Sequence, residues 1–329
     1  MSTLVTVIIR SLGRPSIESA LASVASQTHR AIEIVVVDAN GGNHPSLGDH
    51  CGDLPLRLVS VGKPLNRPEA GNVGLDNAQG EWLIFLDDDD FFHREHIGLL
   101  LGAATEEETR VAYAGTRMLD ANDHQIGVLN DPYARLKLCA GNFMQMGAVL
   151  FNRSLLDDGC RFDEDMLLYQ DWDFWLQLST RTHFAHSPRL TNNWCVHSGQ
   201  SGAGTGPNAN LALQREFEQR VKDKWQQWHR RLIAFVQDTA HRAAALMVSK
   251  PAHAARILRR ALKVMPNDPT LINLLGIANF RSGDVTGAWR ALSTAQQLLP
   301  RNGAIGRNLA QVFNSPAWRR RVAGVRKAG

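Results

Sequence analysis

The stretch Trp82-Leu83-Ile84-Phe85-Leu86, followed by Asp87-Asp88-Asp89-Asp90, limits what this chain can fold into more than any other. Five consecutive apolar residues predict a strand buried on both faces, as in a parallel sheet covered by helices. Four carboxylates at its end cannot all ionise side by side without a counter-charge. A divalent cation at the carboxyl edge of the sheet, where open α/β folds place their ligands, would supply it. Mg2+ or Mn2+ held by one or two carboxylates completes its shell with water and substrate phosphates. The alternative is an acidic loop that only caps the next helix.

The flanking pattern agrees with a sheet. Val5-Thr6-Val7-Ile8-Ile9 and residues 32–37 predict two more buried strands, and residues 56–61 a shorter one. Residues 17–27 predict a helix capped by Ser16, and residues 67–77 a second helix. Strands alternating with helices give βαβ units and a parallel sheet. Its carboxyl edge would gather Arg10, Asp38, the loop ending at Arg67 and the acidic run, a grouping suited to a nucleotide. Further on, residues 111–118, 125–129 and 146–151 predict short strands, and a helix starts near Tyr169. Asp88 and Asp90 read as supporting or helix-capping groups, and His93 and His96 as a solvated helix start. Residues 198–210, rich in Gly, Ser and Asn, predict a mobile lid or linker.

At 329 residues the chain suits about two domains. Charge divides it: residues 1–200 carry a net −11 and residues 201–329 a net +15, so the halves should meet different partners. The longest uncharged apolar run, residues 97–105, is far short of the roughly 20 residues that span a bilayer. Residues 2–9 lack a basic leader, and Cys51, Cys139, Cys160 and Cys195 show no metal-ligand spacing. Together these predict a cytoplasmic protein with reduced thiols and no structural zinc.

Residues 211–237 predict a long helix with Phe217, Val221, Trp225, Trp228 and Leu232 on one face. Then Ala254, Leu258, Ala261 and Pro266 recur as Ala288, Leu292, Ala295 and Pro300, all four at one and the same displacement. That displacement equals the period of tetratricopeptide repeats, with residues 308–313 as a capping helix.

With these residues assembled, residues 1 to about 200 resemble the family-2 glycosyltransferases of GT-A fold. The resemblance rests on Val7-Ile8-Ile9, Glu33-Ile34-Val35-Val36-Val37-Asp38 and Ala70…Asn72…Gly74-Leu75. It continues through Gly80-Glu81-Trp82, Phe85-Leu86-Asp87-Asp88-Asp89 and Gln170-Asp171-Trp172…Trp175-Leu176. It implies an α/β fold: a Rossmann-like, mixed and mostly parallel sheet in residues 1–205. A loop and linking helix (206–238), helical repeats in an all-α part (239–315) and a basic tail (316–329) would follow.

Carried over by residue, Asp87 and Asp89 are the family's DxD pair, with Asp89 on the metal and Asp87 on the ribose or a metal-bound water. Asp171 matches the general base, with Asp173 a poor substitute because it faces another way on the helix. His197 stands where relatives place a histidine near the metal or diphosphate, and Arg10, Arg67 and Asp38 become nucleotide contacts. Ala39 and Gly71 depart from the pattern, where relatives have a second acid and an arginine, so UDP is the donor nucleotide only by default.

The function implied is a Mn2+- or Mg2+-dependent inverting glycosyltransferase that moves a sugar from a nucleotide-sugar donor to a hydroxyl. Its acceptor would be a glycan, a lipid-linked molecule or a protein, in cell-surface glycan synthesis or protein glycosylation. The basic half fits a protein partner or an anionic membrane surface at the inner face of the membrane, and not nucleic acid, for which no motif is present. The rival function is an interaction protein whose transferase domain is degenerate, against which the retention of Asp87, Asp89 and Asp171 speaks. Sugar-nucleotide synthesis lacks its glycine-rich basic loop near the first strand.

Overall fold

The computed structural model describes residues 3–196 and 210–319. His197, nearly all of the 198–210 stretch and the 320–329 tail lie outside the described residues. The chain forms two compact units, Met1–Tyr133 with Leu138–Trp225, and Ala134–Lys137 with Gln226–Gly329.

In the first unit the chain runs through β1 (Val5–Ser11), α1 (Ile17–Ala25), β2 (Ile32–Asp38), β3 (His50–Cys51) and β4 (Leu54–Ser60). It continues through α2 (Arg67–Asn77), β5 (Trp82–Asp87), β6 (Phe91–Phe92), α3 (His96–Glu106), β7 (Val111–Leu119) and β8 (Gln125–Leu129). After α4 (Arg135–Ala140) come β9 (Val149–Asn152), α5 (Ser154–Asp157), α6 (Gln170–Arg181) and β10 (Ala185–Cys195). The strands form one sheet in the order β3-β4-β2-β1-β5-β9-β7-β10-β6, with β8 beside β7.

The parallel centre, β4-β2-β1-β5, is what positions the site. The chain winds outward from β1 to β2 and β4, then returns to lay β5 on the other side of β1. The order therefore reverses at β1, and a crevice opens there outside the carboxyl ends of the strands. Every residue of β1 and β2 is buried, as their unbroken β-branched runs require of a sheet covered on both faces. In register Arg10 stands beside Asp87 and Ser11 beside Asp38.

Several local expectations are corrected. Ser16 precedes α1 in helical conformation and makes no side-chain cap, because its own backbone already belongs to a turn. Residues 146–148 form a single 3-10 turn before β9, set by Gln145, whose side chain accepts the Gly147 N–H at 2.6 Å. His96 is buried rather than solvated: its Nε2 lies 2.9 Å from the Gly147 carbonyl and its Nδ1 2.7 Å from the Thr191 hydroxyl. Burial lowers its pKa to about 4, so the ring stays neutral and donates to the carbonyl. β10 is absent from the sequence expectation because Pro188 and two register shifts interrupt its pattern.

The second unit is helical. The long helix α7 (Leu211–Leu246) runs across Gln226, where this unit begins. Then come α8 (Pro251–Val264), α9 (Pro269–Arg281), α10 (Val285–Leu298) and α11 (Gly303–Asn314). α10 begins and ends at the same interval after α8 as α11 begins after α9. Side chains cap three of these starts: Asp268 accepts from Leu271 N, Asp284 from Gly287 N and Asn302 from Ile305 N. Gly276 lets α9 meet α10, since a Cβ there would lie 2.5 Å from Leu292.

Candidate active site

β1 ends on Arg10 and β5 on Asp87, and the register sets them side by side at the switch point. The Arg10 guanidinium donates to Asp87 Oδ1, lies 5.8 Å above the Phe85 ring and reaches the Arg67 carbonyl at 3.5 Å. Burial opposes ionisation of Asp87, but Arg10, then Arg67 and Arg14, outweigh it and hold its pKa low. The next two acids depend on Arg14, in the loop after β1, which donates to both Asp88 and Asp89. Asp88 is fully buried and also accepts from the Ser11 hydroxyl at 2.8 Å and Leu12 N at 3.1 Å, so it shapes that loop.

Asp90 is not a helix cap either, since α3 starts six residues later. It accepts from Gln145 Nε2 at 2.7 Å and Cys195 N at 2.8 Å, tying the acidic run to the end of β10. Burial and then Asp87 and Asp89 raise its pKa well above the ordinary range. Burial, with Asp90 next, also pushes the Cys195 thiol to about 12, so it remains protonated.

Asp89 shares Arg14 with Asp88. Burial and then Asp87 raise its pKa in spite of Arg14. Among the described residues no group of three or more His, Cys, Asp or Glu side chains is arranged as a metal cage. The chemistry of the donors still suits one kind of ion. Asp87 and Asp89 are partly exposed oxygen donors, which fits a hard divalent cation sharing its shell with water and phosphate.

Asp171 opens α6, behind Tyr169, which adopts the left-handed conformation at φ 56°. Its Oδ1 accepts from Trp172 N at 2.8 Å and its Oδ2 from Asn142 Nδ2 at 2.9 Å. Burial raises its pKa, while Arg10 lowers it and Asp87 raises it further, so Asp171 shares an electrostatic environment with the β1–β5 edge. Asp173, two residues on, is fully buried elsewhere. It accepts from Trp225 Nε1 at 2.8 Å and Gln177 Nε2 at 2.9 Å, and pairs with Lys224 at 2.9 Å. Lys224 also binds Asp163 at 2.6 Å, so α7 is fastened to α6 through Asp173.

Asp38, at the end of β2, is 1% exposed and organises the loop after it. It accepts from Asn40 N at 2.7 Å, Gly42 N at 2.6 Å and Ser60 Oγ at 2.8 Å, which lower its pKa although burial raises it. Arg67 heads α2, whose start is closed by a reciprocal capping box between Asn66 and Glu69. Arg10, Arg67, Asp87 and Asp89 thus lie together at this edge, Asp171 is within electrostatic reach of Arg10 and Asp87, Asp38 stands one strand away, and His197 lies outside the described residues.

Sequence reasoning missed Arg14, Asn142 and Lys224, and placed Trp225 on an apolar face without its hydrogen bond to Asp173. Only Arg14 left a signal, as the next cation after Arg10 facing four acids. Gly71 has a structural cause: a Cβ there would lie 2.7 Å from the Phe162 ring. Asn72, next along α2, clamps the Phe162 backbone by accepting from its N–H at 3.1 Å and donating to its carbonyl at 3.0 Å.

Comparison with known proteins places this geometry. A curated relative, the "Uncharacterized glycosyltransferase YwdF" of Bacillus subtilis (strain 168), is 25% identical over 219 residues, 64% of this chain and 79% of its own length. A crystal structure of S. aureus TarS 1-349 in complex with UDP-GlcNAc superposes with a TM-score of 0.51 at 14% identity, over 98% of this chain and 92% of that one. This likeness establishes a GT-A-like fold. The chain spans about half, 54%, of a longer S. aureus TarS crystal structure, at 16% identity and a TM-score of 0.48 over 94% of this chain. Among family models, Glycosyl transferase family 2 matches residues 5–155, which contain β1, β2, β5 and the acidic run and stop short of Asp171. Residues 5–155 of the first unit are therefore similar to glycosyl transferase family 2.

Proposed function

We propose that the protein is a metal-dependent, inverting glycosyltransferase that uses a nucleotide-diphosphate sugar, with UDP-GlcNAc the first donor to try. The observation that carries this is the β1–β5 edge itself. Arg10, Arg67 and Arg14 surround Asp87 there, within electrostatic reach of Asp171, inside the span matched by the transferase family or next to it. The TarS structure with UDP-GlcNAc supports the choice of donor by likeness of fold.

In this mechanism Asp171 accepts the proton of an acceptor hydroxyl as its oxygen bonds to the anomeric carbon from the face opposite the diphosphate. The bond from that carbon to the diphosphate oxygen breaks, and the configuration inverts. Asn142 and the Trp172 N–H hold both carboxylate oxygens of Asp171, which fixes its direction. Arg67, at the start of α2, offers positive charge to the departing diphosphate, helped by the positive end of the helix. Arg10 holds Asp87 in place. A divalent cation on Asp89 and Asp87 would supply further positive charge beside the leaving group.

The acceptor is a hydroxyl of a glycan, a lipid-linked molecule or a protein. We also read α8–α11 as tetratricopeptide-like pairs, supported by the recurrence of their bounds at that repeat's period. A cytoplasmic setting accords with four free thiols, and no helix among the described residues is long and apolar enough to cross a membrane. Calorimetry of UDP binding with Mn2+ and without it tests the site: Asp89→Asn should keep the fold and lose the Mn2+-dependent part of the affinity. Unchanged affinity in that variant would remove the metal assignment.

A further inference from the structure

The outward line of α8 carries cations that its place in the fold does not require. α8 and α10 occupy equivalent positions in successive repeats and bury the same pattern: Ala254, Leu258 and Ala261 in one, Ala288, Leu292 and Ala295 in the other. Their exposed positions differ. α8 presents Arg256, Arg260 and Lys263 where α10 has Arg290, Thr294 and Gln297. Steps of four and then three residues set the three cations on one line of the helix, about 10 Å long at 1.5 Å per residue.

Nothing among the described residues neutralises that line. Arg259, to one side of it, is engaged by Asn279 at 2.8 Å and Asp284 at 3.9 Å. Arg256, Arg260 and Lys263 make no ion pair among the described residues, and like charges at these spacings repel. Residues 226–319 hold 13 Lys and Arg against 3 Asp and Glu, so no neighbouring excess of acid screens them. Apolar side chains flank the line at both ends: Val248 is 83% exposed ahead of Lys250, and Val264 is 42% exposed after Lys263.

We propose that this face of α8 docks on an anionic lipid surface. The outside of a helix is convex. A straight row of cations on it offers no groove for a chain, yet it can touch a plane of headgroups along its whole length. Long Arg and Lys stems let the charges reach phosphate while the stems and the flanking valines rest at the interface. α8 cannot go deeper, because Ala254 and Leu258 are fully buried within the unit. Binding is therefore electrostatic and salt-sensitive. α8 has no Phe, Tyr or Trp with which to stack bases, which disfavours a nucleic acid. This inference does not depend on the reaction proposed above.

The test is co-sedimentation of the full chain with vesicles of phosphatidylcholine, with and without phosphatidylglycerol, at low and high salt. Wild type should bind only the anionic vesicles and release at high salt. The triple variant Arg256→Gln, Arg260→Gln, Lys263→Gln should lower the partition coefficient about 100-fold, from about 1 kcal/mol per cation. A control triple, Arg290→Gln, Arg301→Gln, Arg307→Gln, removes the same charge from exposed positions off the line and should change it by less than about 3-fold. Glutamine is a good helix former, and thermal melting checks that both triples fold. No wild-type binding to anionic vesicles overturns the proposal, as does an equal loss in the two triples, which would reduce it to net charge. Binding to soluble polyglutamate or polyphosphate but not to vesicles would reassign the face to an acidic peptide or polymer.

Discussion

The carboxyl edge of the sheet and the outward line of α8 both concentrate charge of one sign, and the protein treats them in opposite ways. At the edge each acid has partners: Arg10 for Asp87, Arg14 for Asp88 and Asp89, Gln145 and Cys195 N for Asp90. On α8 the three cations make no ion pair among the described residues. The cause is burial. Asp88 and Asp90 are 0% and 2% exposed, and an unpaired charge there would cost several kcal/mol. An exposed cation costs almost nothing to leave alone. Pairing therefore fixes geometry at the edge, where the proposed reaction needs it, and leaves the α8 cations available to an outside partner. Changing a charge should be severe at the edge and mild on α8.

The largest effect should come from Asp171→Asn. An amide cannot take the acceptor proton, so turnover should fall roughly 10²- to 10⁴-fold while donor affinity stays near wild type. Burial raises the Asp171 pKa, and the proposed base would act only as the carboxylate. Wild-type kcat should therefore be lost as pH falls through a value above the usual aspartate range, and this acid limb should vanish in the variant. Near-normal transfer by Asp171→Asn in a radiolabelled-sugar assay would move the base elsewhere.

Next in size is Lys224→Met. Asp173 would remain fully buried with Trp225 and Gln177 as donors but without its cation. Breaking such a pair costs about 3–5 kcal/mol when both ions are dry, and about 3 is expected here because Lys224 keeps some water. Urea denaturation measures it. A loss under about 1 kcal/mol would make this contact as weak as an ordinary surface ion pair.

These two aspartates show what the sequence carried and what it did not. Strand periodicity and the run Trp82–Asp90 gave the parallel centre of the sheet, and with it the Arg10–Asp87 edge, because local pattern decides buried strands. That Asp171 and Asp173 face different environments follows from helix geometry alone. That Asp173 binds a lysine 51 positions later does not, since only the folded chain brings α7 to α6. His96 misled for the same reason: its partners, Gly147 and Thr191, come from distant segments, so its polar character gave no hint of burial. β10 was missed because Pro188 breaks the alternation that marks a strand.

Gly71→Ala should be intermediate. The added methyl would press on the Phe162 ring, itself packed against Phe85 and Phe174 with centroids 5.3 and 4.5 Å away. Overpacking of this kind costs about 1–3 kcal/mol. Pairing it with Phe162→Leu should recover part of the loss, seen as a coupling energy in a double-mutant cycle. Strict additivity would mean that Gly71 is required for something other than this ring.

The smallest effect should come from Arg260→Glu, and its sign is what matters. On α8 the new carboxylate would sit four residues after Arg256 and three before Lys263, replacing two repulsive neighbours with two attractive ones. Each such pair is worth about 0.2–0.5 kcal/mol, so the swap of sign at both should stabilise the helix by roughly 1 kcal/mol. No apolar contact is lost, since position 260 is exposed. The acidic edge offers no comparable gain, because a charge reversal at buried Asp88 would leave Arg14 opposed and a cation without water. Urea denaturation at low and high salt would read the difference: the gain on α8 should shrink as salt screens both the old repulsion and the new attraction. A loss of stability on Arg260→Glu would mean that the line is already neutralised within the protein, and the contrast between the two regions would fail.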